Sequence, residues 1–153
     1  MPLAKENGRV NRNIETMWGF IKNMENWAPC MPGYVSFKEV NENVSIWCLK
    51  GDVGIFKRKV DFTVTVTERV APERIAFTLE AKSEGIKGVG SYQAVANGSD
   101  ATDVEFNLDM EGKGLAKKVV NVLLSKTLPR DCKILKDNLT KVLEAEESPV
   151  EVR

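Results

Sequence analysis

Apolar residues near the start of the chain recur at helical spacing. A short polar stretch fills residues 1–10, and from residue 14 onward apolar side chains return every three or four positions. This period places them on one side of a helix, so the sequence predicts an amphipathic helix with one buried face. Asn11 or Asn13 is suited to cap its N-terminus. The apolar positions of this helix are Ile14, Met17, Trp18, Phe20, Ile21 and Met24.

A corner with two prolines and a glycine follows at residues 27–33, and after it the apolar period changes to two. The prolines break any helix, which predicts an irregular, packed segment. Apolar and polar residues then alternate at 60–67, 75–81 and 103–110, as in strands with one buried and one solvated face. Short connections between such strands predict an antiparallel meander of about six strands. The turn signals lie at 41–43, 51–54, 71–73, 83–85 and 97–100.

The period is helical again from Gly112 to about Glu146. Apolar residues form one stripe with lysines on its flanks, over about eight turns. Pro129 lies inside this helix, where it removes a backbone donor and crowds the preceding turn, so we expect a kink or a break into two helices. Residues 144–153 are acidic and predict a frayed, solvated tail. The stripe consists of Val120, Leu124, Leu128, Cys132, Leu135, Leu139 and Leu143.

These elements together predict an α+β fold. Their order is a short strand, a helix, the irregular corner, about six antiparallel strands and the long terminal helix, for a sheet of six to seven strands. Only the terminal helix is long enough to cover the apolar face of the sheet. A curved sheet wrapped around one helix leaves a cavity between them. We expect one domain over residues 1–153, with its core at about 5–143 and a flexible tail at 144–153.

The composition excludes several kinds of chemistry. The chain has 153 residues, 22 Lys plus Arg against 22 Asp plus Glu, and no histidine. Without imidazole, Ser-His-Asp and Cys-His catalysis and His-containing zinc sites are excluded. The neutral total supplies no basic surface for nucleic acid and predicts an evenly solvated shell around an apolar interior. Carboxylates such as Asp103 and Glu105 alternate with apolar residues and should face water, so they lack the desolvated setting of a general acid.

Cysteine usage and the chain's polarity indicate a cytoplasmic protein. Cys30, Cys48 and Cys132 are odd in number and widely spaced, so we interpret them as reduced, buried thiols. Residues 1–10 contain charged side chains and no signal-peptide core, and nowhere do about 18 apolar residues occur together. We therefore expect no integral membrane segment. Peripheral contact with a membrane and the oligomeric state stay open.

Two short motifs resemble those of a known family. The segments 14–18 (IETMW) and 27–33 (WAPCMPG) resemble the carbon monoxide dehydrogenase G-subunit family, and the W-x-x-C-M-P-G run is the most specific element. The resemblance covers about residues 5–143, and the chain departs from the family pattern at Pro129 and in its acidic tail, which has no extra amphipathic helix. Further matching positions are Gly85, Gly88, Gly90 and residues 112–116 (GKGLA).

This resemblance implies a helix-grip fold of the START-like superfamily, which includes polyketide cyclases and lipid-transfer domains. It further implies a hydrophobic cavity without metal or cofactor. The expected role is to bind or carry an apolar molecule, lipid-like or quinone-like, beside a molybdenum hydroxylase.

Candidate ligand-binding residues lie on the inner face of this fold. Gly88, Gly90, Tyr92 and Ala94 share a strand face of mostly small residues, which leaves room for the terminal helix or for a ligand. Tyr92 is the candidate polar group of an otherwise apolar pocket. Cys30 is interpreted as a small packed hydrophobe rather than a reactive thiol. The predicted cavity-lining residues are Trp18, Trp27, Met31, Phe62, Phe77, Leu79, Gly88, Gly90, Tyr92, Phe106, Leu108, Val120, Leu124 and Leu128, for each of which plain core packing is the alternative.

Three functions fit these features. The first is a non-enzymatic protein that holds a hydrophobic small molecule between sheet and helix and passes it to an oxidoreductase. The second is a cyclase or hydratase acting on a polyketide-like substrate, which would need Tyr92 or a buried carboxylate as acid or base. The third is an assembly partner of a molybdenum enzyme that works through its surface. No catalytic residue is predicted.

Overall fold

Seven antiparallel strands form one curved sheet in the computed structural model, which describes residues 3–50 and 59–152. The described part also contains three α-helices, of which the last is by far the longest. This arrangement confirms the predicted α+β, helix-grip fold class. The strands are β1 (Leu3–Val10), β2 (Tyr34–Glu39), β3 (Val44–Lys50), β4 (Lys59–Val70), β5 (Arg74–Ala81), β6 (Ile86–Ala96) and β7 (Thr102–Gly112), and the helices are α1 (Ile14–Ile21), α2 (Met24–Trp27) and α3 (Lys117–Val152).

The sheet order is β1-β7-β6-β5-β4-β3-β2. From β2 to β7 it is therefore the predicted meander, and the first strand joins it beside the last. Buried and partly exposed residues alternate regularly in β7, where every second residue is buried from Thr102 to Gly112. A register shift between Val66 and Glu68 interrupts the pairing of β4 with β5, and such a bulge bends a strand and increases its twist. The predicted turn at 51–54 lies outside the described residues.

The first helical segment is divided into two helices by capping asparagines. Asn13 caps α1 by accepting a hydrogen bond from the Glu15 backbone N–H at 2.8 Å. Asn23 does the same for α2 with the Glu25 N–H at 3.1 Å. An Asn side chain competes with helical hydrogen bonding in this way, so the single helix predicted through Met24 ends at Ile21.

The terminal helix α3 is continuous, so Pro129 does not divide it. Pro129 lies on the exposed side of the helix, where water can hydrate the Ser125 carbonyl that has lost its backbone donor. The helix also extends to Val152, beyond the predicted end near Glu146. Within the described ranges, no helix combines the length and the apolar character that crossing a bilayer requires.

Helix α3 lies towards one side of the sheet. It packs chiefly against β1, β7 and the 3₁₀ turn Ala28–Cys30. Its predicted apolar stripe, from Val120 to Leu143, is buried throughout. Because the helix is held by the β1 and β7 side, the inner faces of β3 to β5 are less closely covered.

Candidate functional site

A cavity of about 150 Å³ lies between the inner face of the sheet and α3. Strands β3 to β7 supply one wall and α3 supplies the other, while the proline corner closes one side. The wall is overwhelmingly apolar. Its apolar and aromatic side chains are Trp27, Met31, Pro32, Trp47, Leu49, Val60, Phe62, Val64, Phe77, Leu79, Ile86, Tyr92, Phe106, Leu108, Met110, Leu124, Leu128 and Leu135.

Two tryptophans in the cavity wall have their polar atoms satisfied by the protein. Trp27 and Trp47 pack edge to face with ring centroids 5.3 Å apart. The Trp27 indole donates to the Ile21 carbonyl at 3.0 Å, and the Trp47 indole donates to the Ser45 hydroxyl at 3.0 Å. Both side chains therefore offer a ligand apolar surface only.

Tyr92 differs from these tryptophans because its hydroxyl has no hydrogen-bond partner among the described residues, although it is buried. The residue is 0% exposed, lines the cavity and packs against Phe106 with ring centroids 5.4 Å apart. Burial raises the pKa of the Tyr92 phenol well above its ordinary value, so the group stays a neutral O–H donor. An unpaired buried hydroxyl destabilises a protein by about 1–3 kcal/mol, and a ligand acceptor would relieve this.

Three charged residues line the cavity in addition to its apolar side chains. Lys50 and Arg130 line the cavity and are exposed, whereas Asp131 lines it and is half-buried. Arg130 Nε lies 3.1 Å from Asp131 Oδ1. The lining therefore combines a largely apolar wall with a few charged side chains.

The structure brings ten of the fourteen predicted site residues together around the cavity and places four elsewhere. Trp18 follows Met17, which shares the buried face of α1 with Ile21, so the tryptophan lies at the edge of that face and not at the cavity. Val120 is fully buried against Gly112, where an added Cβ would lie 2.7 Å from the Val120 Cβ. Helix and strand are thus too close there for any cavity. The ten lining residues are Trp27, Met31, Phe62, Phe77, Leu79, Tyr92, Phe106, Leu108, Leu124 and Leu128.

The two glycines predicted to line the cavity are covered by atoms of the neighbouring strands. A Cβ at Gly90 would lie 2.5 Å from ring atoms of Phe77 and 2.9 Å from Leu108 Cδ2. A Cβ at Gly88 would lie 2.6 Å from the Asp109 carbonyl oxygen and 2.8 Å from Met110 Cγ. The space over the glycines is filled by neighbouring residues, so neither α3 nor a ligand approaches them directly.

Several lining residues were not among the sequence predictions. Val60, Val64 and Met110 continue the period-two patterns that predicted Phe62 and Leu108, so the same rule could have included them. Trp47 lies in β3, where the apolar alternation is weak, and only the tertiary fold places it in the wall. The other missed residues are Pro32, Leu49, Lys50, Ile86, Ser91, Asn107, Thr127, Arg130, Asp131 and Leu135.

Other titratable groups have pKa values shifted by burial or by a charged neighbour. Burial raises the pKa of the Cys30 thiol, and it raises the pKa of Cys132 to about 11 with help from the nearby carboxylates of Glu6 and Asp131. A hydrogen bond from Arg9 lowers the pKa of Asp103 on the outer face. Across residues 3–50 and 59–152, no group of three or more His, Cys, Asp or Glu side chains is arranged to hold a metal ion.

Comparison with known proteins identifies the family. The model of the carbon monoxide dehydrogenase G-subunit family (CoxG) matches residues 7–143. The chain belongs to this family. No curated protein matches the sequence of this family member.

Solved structures with the same fold include a START superfamily protein from Mycobacterium smegmatis, with 17% identity, a TM-score of 0.69 and coverage of 94% of this chain and 97% of that chain. A protein from Thermus thermophilus has 18% identity and a TM-score of 0.76 over 95% and 99% of the two chains. The Zhui aromatase/cyclase from Streptomyces sp. R1128 has 13% identity and a TM-score of 0.69 over 99% and 95%. At these identities, the likeness shows the START-like fold alone.

Proposed function

We propose that this CoxG family member binds and carries a hydrophobic small molecule in the cavity between the sheet and α3. The observation that carries the proposal is the Tyr92 hydroxyl, which is buried in an apolar wall and has no acceptor among the described residues. A ligand with a carbonyl or ether oxygen would accept its hydrogen bond. The ten lining residues that the sequence predicted would supply apolar contact around that bond.

The size of the cavity favours a ligand with one ring inside it. A volume of about 150 Å³ is comparable to engineered apolar cavities that hold benzene. A quinone-like or lipid-like molecule would place a ring or short segment beside Tyr92. The rest of the molecule would extend past exposed lining residues such as Lys50 and Arg130.

The raised pKa of Tyr92 favours binding over catalysis. A phenol whose pKa lies well above neutrality gives up its proton poorly, so it donates a hydrogen bond but is a weak general acid. This argues against a cyclase or hydratase that would use Tyr92 as its acid or base.

Family membership supports a role beside an oxidoreductase. We propose that the bound molecule is exchanged with a molybdenum-containing enzyme, carbon monoxide dehydrogenase being the one for which the family is named. The free thiols Cys30, Cys48 and Cys132 fit a reducing compartment and support a place in the cytoplasm.

A matched ligand pair tests the cavity and the hydroxyl separately. Duroquinone has a fully substituted ring that does not add to thiols, and durene has the same carbon skeleton without the two carbonyl oxygens. We expect both to raise the melting temperature. Because the carbonyl oxygens lose water on binding, the informative quantity is the quinone preference, the ratio of duroquinone to durene affinity, which the Tyr92 hydrogen bond should raise about fivefold to tenfold. In Tyr92→Phe the quinone preference should fall by that factor while durene binding persists.

Tyr34→Phe is the control because Tyr34 lies on β2 outside the cavity wall and should keep the preference for duroquinone. Unliganded Tyr92→Phe should also have a free energy of unfolding about 1 kcal/mol higher than the parent, since an unpaired buried hydroxyl is removed. The proposal fails if neither compound binds and native mass spectrometry before and after organic extraction detects no apolar ligand. An unchanged quinone preference in Tyr92→Phe would remove the hydroxyl from the proposal.

A further inference from the structure

The dipeptide Asn-Gly occurs at two places in the chain, residues 7–8 and 97–98, and the structure gives them opposite surroundings. Residues 7–8 lie within β1 and are paired with β7 across the sheet. Residues 97–98 lie in the exposed turn between β6 and β7. The same two side chains can therefore be compared in a strand and in a turn of one protein.

An asparagine that precedes a glycine can cyclise with it. The backbone nitrogen of the glycine attacks the side-chain carbonyl carbon of the asparagine, and a C–N bond forms. The N–H proton passes through solvent to the side-chain nitrogen, which leaves as ammonia. Water then opens the five-membered imide at either carbonyl and gives aspartate or isoaspartate. Glycine favours the attack because it has no Cβ and accepts many backbone angles.

Gly98 has the freedom that this attack requires. Its N–H makes no hydrogen bond to another residue that the structure describes, its φ is +76°, and an added Cβ would meet nothing within 4 Å. The neighbouring Asn97 is exposed, and its own backbone N–H closes the turn by donating to the Ala101 carbonyl at 2.9 Å. The attacking nitrogen and the side-chain amide are thus both accessible.

The pair Asn7–Gly8 is held from two sides. Strand pairing with β7 keeps both residues extended. Lys136 of α3 covers the glycine, since a Cβ added at Gly8 would lie 3.1 Å from Lys136 Cδ, and the Lys136 ammonium donates to the Asn7 carbonyl at 3.4 Å. Cyclisation at Asn7 would require β1 to separate from β7 and α3, which costs free energy that the turn does not demand.

We propose that Asn97 is a site of spontaneous modification, at which the folded protein converts asparagine to isoaspartate and aspartate while Asn7 is preserved. Neither Asn97 nor Gly98 lines the cavity, so this modification is independent of the proposed ligand.

The modification places a new charge beside an existing ion pair. The Asn97 side chain donates to Asp103 at 3.2 Å, and Asp103 also accepts from Arg9 Nε at 2.9 Å, which links β7 to β1. A carboxylate at position 97 replaces that donor by a repelling charge. Isoaspartate also lengthens the backbone of the turn, in which the Ser99 carbonyl accepts from the α1 cap Asn13 at 2.9 Å. Conversion therefore weakens the contacts that this turn makes with β7 and α1.

Peptide mapping by mass spectrometry tests the proposal on the full chain incubated in mildly alkaline buffer. The mass increase from amide to carboxyl reports conversion, and methyl transfer from S-adenosylmethionine by an isoaspartyl methyltransferase reports isoaspartate. In the native protein, conversion should be about tenfold or more faster at Asn97 than at Asn7, because Asn7 must first leave a strand. In guanidinium chloride the two rates should be similar, since the unfolded chain protects neither residue.

Two variants examine the role of the glycine. Gly98→Ala places a Cβ beside the attacking nitrogen and should slow conversion at Asn97 about tenfold. Ser99→Ala is the matched control in the same turn and should convert like the parent. The proposal is overturned if Asn97 in the native protein reacts no faster than Asn7, if it stays intact while both sites react in the unfolded chain, or if Gly98→Ala converts as fast as the parent.

The effect of the new charge is measured separately with Asn97→Asp and Asn97→Ala, both of which lose the donor to Asp103. Only the first adds a carboxylate, so it should have the lower melting temperature at low salt, and the difference should shrink at high salt. Equal melting temperatures at low salt would show that the charge does not act on Asp103.

Discussion

At the scale of single residues, glycines shape the cavity by letting larger neighbours in. Gly90 pairs with Phe77 on β5 and with Leu108 on β7. Because Gly90 has no side chain, the side chains of Phe77 and Leu108 lie over it and line the cavity. Gly90 therefore contributes to the cavity through the residues that it accommodates.

Replacing Gly90 by alanine should destabilise the protein by about 1–3 kcal/mol, because the new Cβ would lie 2.5 Å from the Phe77 ring. Urea unfolding monitored by circular dichroism measures the change. Gly19→Ala is the control: Gly19 lies on α1 with nothing within 4 Å of an added Cβ, so alanine should stabilise by about 0.5–1 kcal/mol. Equal effects at the two positions would contradict this account.

The limits of sequence prediction also follow from particular residues. Period-two alternation placed Phe62, Phe77, Phe106 and Leu108 on the inner face correctly, because the strand period fixes the face of each residue. The same period could not show that side chains of the neighbouring strands fill the space over Gly90. That depends on which residues pair with Gly90 across the sheet. Trp47 was missed for a related reason, because its contact with Trp27 joins distant parts of the chain.

At the scale of elements, α3 shows that tertiary packing outweighs local propensity. A proline inside a helix is unfavourable by about 3 kcal/mol, yet the helix continues through Pro129. Its buried residues, including Leu128 and Cys132, hold both sides of the proline against the sheet. The sequence predicted the helix and its buried stripe but could not weigh that packing against the proline.

Restoring the missing backbone donor should stabilise the helix. We expect Pro129→Ala to raise the free energy of unfolding by about 1–3 kcal/mol, less the small entropic benefit that proline gives through the unfolded chain. Chemical unfolding measures this change. Lys126→Ala, at an exposed position of the same helix, should change stability by less than about 0.5 kcal/mol. A destabilised Pro129→Ala would show that the proline ring makes a stabilising contact.

At the scale of the whole molecule, the absence of histidine affects how stability depends on pH. Asp103, Glu111 and Asp137 have pKa values lowered by hydrogen bonds from neighbouring Arg or Lys side chains, so their contribution is lost as pH falls through those lowered values. Cys132 and Tyr92 have pKa values raised by burial, so their contribution is lost as pH rises beyond the values of the unfolded chain. No side chain of ordinary pKa titrates between these ranges.

Stability should therefore be nearly constant from about pH 5 to 8 and fall on both sides. The alkaline fall should begin near pH 9.0, where the unfolded Cys132 thiol ionises, and continue to about 11, where the folded one does. Melting temperatures across this range measure it. Cys132→Ala should flatten the alkaline side more than Cys48→Ala, because Cys48 is only half-buried. A fall in stability between pH 6 and 7 would contradict the attribution of the pH dependence to these carboxylates, Cys132 and Tyr92.

The off-centre position of α3 has a consequence for how a ligand enters and leaves. Hydrogen bonds tie α3 to Gly112, Cys30 and Arg12, and among the described residues none joins it to β3, β4 or β5. The side chains that α3 turns towards the cavity and those strands include the apolar Leu124, Leu128 and Leu135. Amide hydrogens in the middle of the sheet should therefore exchange with solvent at the same slow rate whether or not ligand is entering and leaving, since exchange of the ligand requires no strand to open.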